Sequence, residues 1–355
     1  MLVGANQADM ARDLGLDLTQ TGLLVSALAL GIGIGVVGAG PLYDRLPRRP
    51  LFAISMSIAG IALVTVSPDM GLARWLTHLA VMGVGIGAYD TLINASIAQR
   101  FSLRSSRPMT AVHAAAAIGA MLGPFLAVAI ASEGEWTDSF RMTGAAHLGL
   151  AGIALIVAFP GPDPRHAGAR PTRRAAGVSV AMLPLAVIAF AYVGIEAALT
   201  VFAEPYASSL GLASQRGGQA ISAAWLGLLV GRVGALGLRT ALDARLIGVG
   251  GIASSALLGV GIGAGLTAIE GVFFGVGLAL GCVYPVMIAL AGQRFPQAPG
   301  TAAGIAAGAG ALGGFTVPWL TGALGDAFGA PSALVSLAGW SLLIAIAAAS
   351  TRRLG

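Results

Sequence analysis

The sequence is short of what a water-soluble surface requires. Only 10% of its 355 residues are charged, whereas a soluble domain carries roughly a quarter. Lysine is absent, and all 20 basic residues are arginines. The single cysteine, Cys282, lies in an apolar run, so neither a disulfide framework nor a thiolate metal site can be built. No group of acidic and histidine residues has ligand spacing, so no metal is expected. No phosphate-cradling glycine loop or nucleophile–base set is found, which argues against an enzyme and leaves no catalytic residue and no cofactor to name. The net charge of +5 sits between apolar runs, so it reports orientation and not nucleic-acid binding.

What the chain has in quantity is apolar length. It is 56% hydrophobic, with 53 glycines and a mean hydropathy of +0.85. Eleven runs approach the roughly 20 residues that span a bilayer: 21–40, 51–66, 75–99, 109–131, 142–159, 182–203, 218–238, 246–266, 270–293, 302–324 and 331–350. The expected fold is therefore all-α, a polytopic membrane protein whose partner is the lipid bilayer. Residues 1–10 are too short to span, and Asp9, Arg12, Asp13 and Asp17 form a polar connection behind them.

Charge orients the helices. With 44–49 on the cytoplasmic side and strict alternation, sixteen arginines fall at or near the inner face; only Arg12, Arg74, Arg141 and Arg216 fall outside. The inner face then includes the chain's C-terminus. Residues 160–178, rich in proline and arginine, read as a cytoplasmic linker between an N-terminal bundle (1–159) and a C-terminal bundle (179–355). A repeat supports this division. Shifted by 196, Leu14, Gly15, Ser26, Gly31 and Gly35 fall on Leu210, Gly211, Ser222, Gly227 and Gly231; shifted by 194, Gly83, Gly87, Gly119 and Pro124 fall on Gly277, Gly281, Gly313 and Pro318. The same shift would place the partner of 182–203 mostly ahead of Met1, so the chain reads as twelve helices lacking most of the first.

The stretch Gly40-Pro41-Leu42-Tyr43-Asp44-Arg45-Leu46-Pro47-Arg48-Arg49 is expected to be a short charged hairpin between two spans. Its G-x-x-x-D-R-x-x-R-R pattern resembles the loop between helices 2 and 3 of the major facilitator superfamily, with Pro47 where the family usually has glycine. The resemblance covers the whole chain. It implies two pseudo-symmetric six-helix bundles and alternating access, with Asp44, Arg45, Arg48 and Arg49 gating the inner ends. Gly83 through Asn94, His113 with Gly119–Pro124, and Tyr192 through Glu196 look like the fucose permease-like branch, which couples sugar uptake to protons. Gly119-x-x-x-Gly123-Pro124 also resembles a fragment of the helix 5 motif of drug–proton antiporters.

An ionised carboxylate in hydrocarbon needs a partner, a wet cavity or a proton. Asp90 and Glu196 qualify, on runs that the resemblance makes cavity helices 4 and 7. Asp90 shares a face with Gly83, Gly87 and Asn94, and Glu196 shares one with Tyr192, Leu199 and Ala203. A rise of about 1.5 Å per residue predicts an upward order of Asn94 and His113, then Asp90, then Glu196. That ladder suits proton coupling, with the proton as the expected coupling ion. Trp225 and Tyr284 could stack on a sugar ring or simply pack. Arg232 either snorkels to the cytoplasm, which the sequence favours, or binds an anion. His78 and His147 are placed near outer helix ends as structural residues, with His147 on a lipid-facing helix. The expectation is thus a monomeric proton-coupled symporter of a small polar, sugar-like solute in a bacterial inner membrane. A proton-driven efflux antiporter and a non-transporting scaffold or receptor are the alternatives.

Overall fold

A computed structural model describes residues 2–101, 106–131, 134–157, 182–237, 244–294 and 299–353. Among them every regular element is a helix: α1 (Leu2–Ala5), α2 (Gln7–Leu14), α3 (Leu18–Arg45), α4 (Arg48–Val64), α5 (Leu72–Phe101), α6 (Ser106–Ala131), α7 (Thr137–Ile156), α8 (Leu183–Ser209), α9 (Gln215–Gly237), α10 (Ala244–Ala256, continued by a π turn over Leu257–Ile262), α11 (Ile269–Leu280), α12 (Val283–Arg294), α13 (Pro299–Phe328) and α14 (Ala330–Arg353). A chain in lipid must satisfy its backbone internally, which helices do. All eleven apolar runs fall on α3–α14, and seven spans among the described residues are long and apolar enough to cross a membrane. The linker at 160–178 lies outside the described residues.

Two elements differ from the sequence expectation. The charged hairpin is mostly helix: α3 continues to Arg45 and α4 begins at Arg48, leaving Leu46–Pro47 as the connection. A helix satisfies its own backbone and can run past the hydrocarbon into the headgroup layer, so charge alone does not end it. Pro47 (φ −59°, ψ 132°) stands just ahead of α4, where a missing N–H costs nothing. The run 270–293 is two helices, broken at Gly281–Cys282. Pro285 has no N–H to offer the Gly281 carbonyl, and here the ladder is interrupted and a new helix starts at Val283, whereas α8 and α13 run on through Pro205 and Pro318.

Contacts divide the chain into two compact units. One comprises residues 27–116 and 130–173. Within it α4 packs on α5 and α7, and α3 crosses α5 where Gly31 and Gly35 meet the Ala80 and Val84 carbonyls and Gly83 and Gly87 meet those of Leu28 and Ile32. Trp75, Trp136 and Phe140 form an aromatic cluster, with the two indoles stacked at 5.4 Å. The other unit comprises residues 1–26, 117–129 and 174–355. It is built on α8, which α13 and α14 cover. Here α9 crosses α11 through the repeat mates of the same glycines: Gly227 and Gly231 meet Phe274 and Leu278, and Gly277 and Gly281 meet Ala224 and Leu228. In all eight places a side chain would strike backbone, the small-residue crossing that packs helices in membranes.

The repeat also sets helix ends. Gly15 (φ 63°) and Gly211 (φ 70°) are both left-handed. The amide of Leu16 donates to the Ala11 carbonyl at 2.9 Å, and that of Leu212 to Ala207 at 3.0 Å, the same Schellman closure at positions 196 apart. Residues 2–14, too short to span, form α1 and α2 against α8, with Gly4 on Thr200.

Candidate functional site

Glu196 is the fourteenth of the 27 residues of α8, at the middle of the helix. Tyr192, one turn earlier on the same face, is 2% exposed. Arg232 of α9 donates from Nη2 to the Tyr192 hydroxyl at 3.0 Å. The Glu196 carboxylate stands one turn further along α8 beside that hydroxyl, so guanidinium, phenol and carboxylate form one polar cluster in which the guanidinium donates to the phenol. Tyr284, in the first turn of α12, closes the other side; its ring lies 5.5 Å from that of Tyr192 with 33° between the planes.

The local sequence explains the assembly. A Cβ on Gly281 would lie 3.1 Å from the Arg232 amide nitrogen, so the bare glycine lets α9 approach the helix break. The break sets Tyr284 in a fresh first turn facing α8. A cavity of about 20 Å³ adjoins the cluster, lined by Glu196, Tyr192, Thr200, Trp225, Leu228 and Gly277 among others. That is room for about one water, whereas small-molecule sites have volumes of roughly 300–1,000 Å³.

Tyr192, Glu196 and Trp225 line this cavity, and Tyr284 stands against Tyr192. Arg232 joins them, which corrects the snorkelling expectation: its head group turns inward to a phenol instead of outward to water. The signal available in sequence was an arginine beside a stripe glycine, inside an apolar run. Asp90 belongs to the other unit, exposed on α5 one turn beyond the Gly83 and Gly87 contacts with α3. The Asn94 and His113 side chains lie outside the described residues, as do those of Asp44 and Arg45. Arg48 is buried, with 4% exposure, and Arg49 is exposed. His147 is also corrected. It stands mid-helix in α7, half-buried, with Nε2 3.4 Å from the Tyr89 hydroxyl and Nδ1 2.8 Å from the Thr143 carbonyl. His78 bonds the Arg74 carbonyl at 2.8 Å in the first turns of α5, a structural position as expected.

Comparison with known proteins adds three findings. The family model of the Major Facilitator Superfamily matches residues 1–318. Among curated proteins, "Sodium-dependent glucose transporter 1" of Homo sapiens is 32% identical over 127 residues, 36% of this chain and 24% of that protein. "Multidrug resistance protein D" of Escherichia coli is 27% identical over 173 residues, 47% of this chain and 42% of that protein. The matched part therefore spans less than half the length of either relative. Among solved structures, a mutant of the nucleoside transporter NupG superposes with a TM-score of 0.76 at 13% identity, covering 99% of this chain and 94% of that one. A bacterial homologue of the human lysosomal transporter Spinster gives 0.73 at 15%, covering 99% and 92%. At such identities the likeness shows the fold alone.

Proposed function

The chain belongs to the Major Facilitator Superfamily, and from that premise we propose that it carries a small polar, sugar-like solute across a bacterial cytoplasmic membrane by alternating access. Transport is coupled to proton symport. The Arg232–Tyr192–Glu196 cluster, set at mid-helix, is the observation that carries this reading. A lone carboxylate at that depth costs about 2.5–3.5 kcal/mol on insertion scales, and here the guanidinium supports the ionised form through the phenol. A solute hydroxyl that takes over the Tyr192 and Arg232 bonds withdraws that support, so Glu196 takes up a proton with the solute. Trp225 and Tyr284 offer faces for a sugar ring. Asp90, with Asn94 and His113, supplies the second proton-handling group. Asp44, Arg45, Arg48 and Arg49 gate the inner ends. The arginine bias orients 160–178 and the C-terminus to the cytoplasm, and the monomer is the working unit.

The test uses purified protein in liposomes loaded with a pH-sensitive dye and offered sugars, sugar acids and nucleosides. Wild type should acidify the lumen with one class of solute, and Glu196→Gln should abolish that acidification while leaving counterflow exchange. Solute flux with unchanged proton movement in Glu196→Gln refutes the reading. A second reading, proton-driven efflux, draws on the match to the E. coli multidrug protein; it predicts extrusion from cells, and uptake into everted vesicles.

A further inference from the structure

The start of α3 is held by a residue more than 300 positions away. Asp326, near the end of α13, accepts the Leu18 amide at 2.9 Å on one oxygen and the Thr19 amide at 2.8 Å on the other. The Thr19 hydroxyl also donates to it. Below this point the two helices close like a zip: Gly322 lies against the Leu18 carbonyl, Gly22 against that of Pro318, and Ser26 donates to the Phe315 carbonyl.

The contact is not needed to make the helix. Asp17 and Gln20 already form a reciprocal capping box, with the Gln20 amide donating to Asp17 at 2.6 Å and the Asp17 amide donating to Gln20 at 3.1 Å. Asp326 takes the two first-turn amides that the box does not reach, and these would otherwise bond to water. The corresponding start of α9 is held locally, by Ser214 donating to Glu204 at 3.3 Å. The Asp326 contact is exposed, so water can replace it when it parts, and α3 stays capped and intact.

From this geometry we infer that Asp326 is a reversible latch: it holds the outer rim of the transporter shut by capping α3, and it must release for the site to open outward. The release belongs to the cycle proposed above, but the latch itself rests on the α3–α13 contact. In a Cys282→Ser background, spin labels at Leu23→Cys on α3 and Phe328→Cys on α13 report the separation of the two helices; Leu23 is partly exposed and Phe328 is 70% exposed. Pulsed EPR should give one short distance with Asp326 intact. Asp326→Asn should raise a longer-distance population about tenfold, the equivalent of one charge-assisted hydrogen bond. Thr19→Ala should raise it less. Asp17→Ala, which removes only the helix's own cap, should leave the short distance dominant. An unchanged distribution in both Asp326→Asn and Thr19→Ala overturns the latch, and so does an equal opening in Asp17→Ala, which would mean helix fraying. The measurement needs no solute, so a failed transport assay and a failed latch are told apart.

Discussion

Replacing Gly231 by alanine adds one carbon at the α9–α11 crossing. A Cβ there would lie 2.6 Å from the Leu278 carbonyl oxygen and 3.1 Å from the Gly281 Cα. Ordinary contact begins near 3.4 Å, so the shortfall against the oxygen is about 0.8 Å. Both obstacles are backbone, and no rotamer change relieves them; the helices must separate. Overpacking of this kind costs about 1–3 kcal/mol. Gly234, one turn further along the same helix, has nothing within 4 Å of its Cβ position. Alanine gains up to about 1 kcal/mol of helix propensity over glycine at either site, so this gain cancels between the two variants. Their difference isolates the clash. Thermal melts of the detergent-solubilised protein, followed by size-exclusion chromatography, should place Gly231→Ala several degrees below Gly234→Ala, with Gly234→Ala at or above wild type. Equal melting of the two would refute the close crossing, and with it the packing that brings Arg232 to Tyr192.

Other outcomes follow from the same contacts. Tyr192→Phe removes the hydroxyl that accepts from Arg232 and strands the guanidinium, which should lower the melting temperature by the equivalent of about 1–3 kcal/mol and sharply cut solute-driven proton uptake in liposomes. Trp75→Ala removes the centre of the Trp75–Trp136–Phe140 cluster and should cost about 3–5 kcal/mol; Trp75→Phe, which keeps a ring, should cost clearly less in the same melts. Arg216 makes a two-pronged ion pair with Glu270 and also donates to the Thr267 carbonyl at 3.0 Å. Arg216→Met should lower the melting temperature slightly in low salt and by less in high salt, since the pair is exposed to screening.

The spans were legible because apolar length is a local property, and the small-residue stripes because glycine at a spacing of four has few other uses in a membrane helix. The split at Gly281–Cys282 was not legible: run length conceals a break when both halves are apolar, and Pro285 alone does not mark it, since α8 and α13 run through Pro205 and Pro318. The extension of α3 to Arg45 was not legible, because polarity marks where hydrocarbon ends and not where helix ends. His147 was misplaced for a related reason: α7 begins at Thr137, ahead of the apolar run, so the histidine sits deeper in the helix than the run implied. Arg232 was misjudged because snorkelling and inward bonding need the same residue at the same depth, and only the neighbour's position decides between them. The Asp326 contact with the start of α3 pairs residues more than 300 apart, with no spacing rule to find it.

The repeat bears on where chemistry is to be sought. Positions shared by the two halves carry packing: Gly31 and Gly227, Gly35 and Gly231, Gly83 and Gly277, Gly87 and Gly281 make the same crossings, and Gly15 and Gly211 the same helix ends. The candidate site stands where the halves depart from one another. Arg232 answers to Val36, Tyr284 to Asp90, and the helix-breaking Pro285 to Thr91, in a helix that runs unbroken. A duplicated scaffold needs its backbone contacts in both copies, so those positions are held alike. A polar group in hydrocarbon is a standing cost that only a use can offset, and one copy suffices for each use. Exchanging the mates makes this testable: Val36→Arg should be destabilising with no gain in transport, whereas Arg232→Val should lower the melting temperature by the cost of its lost partners and abolish coupled uptake. Transport surviving in Arg232→Val would mean that the departures from the repeat are drift and not design.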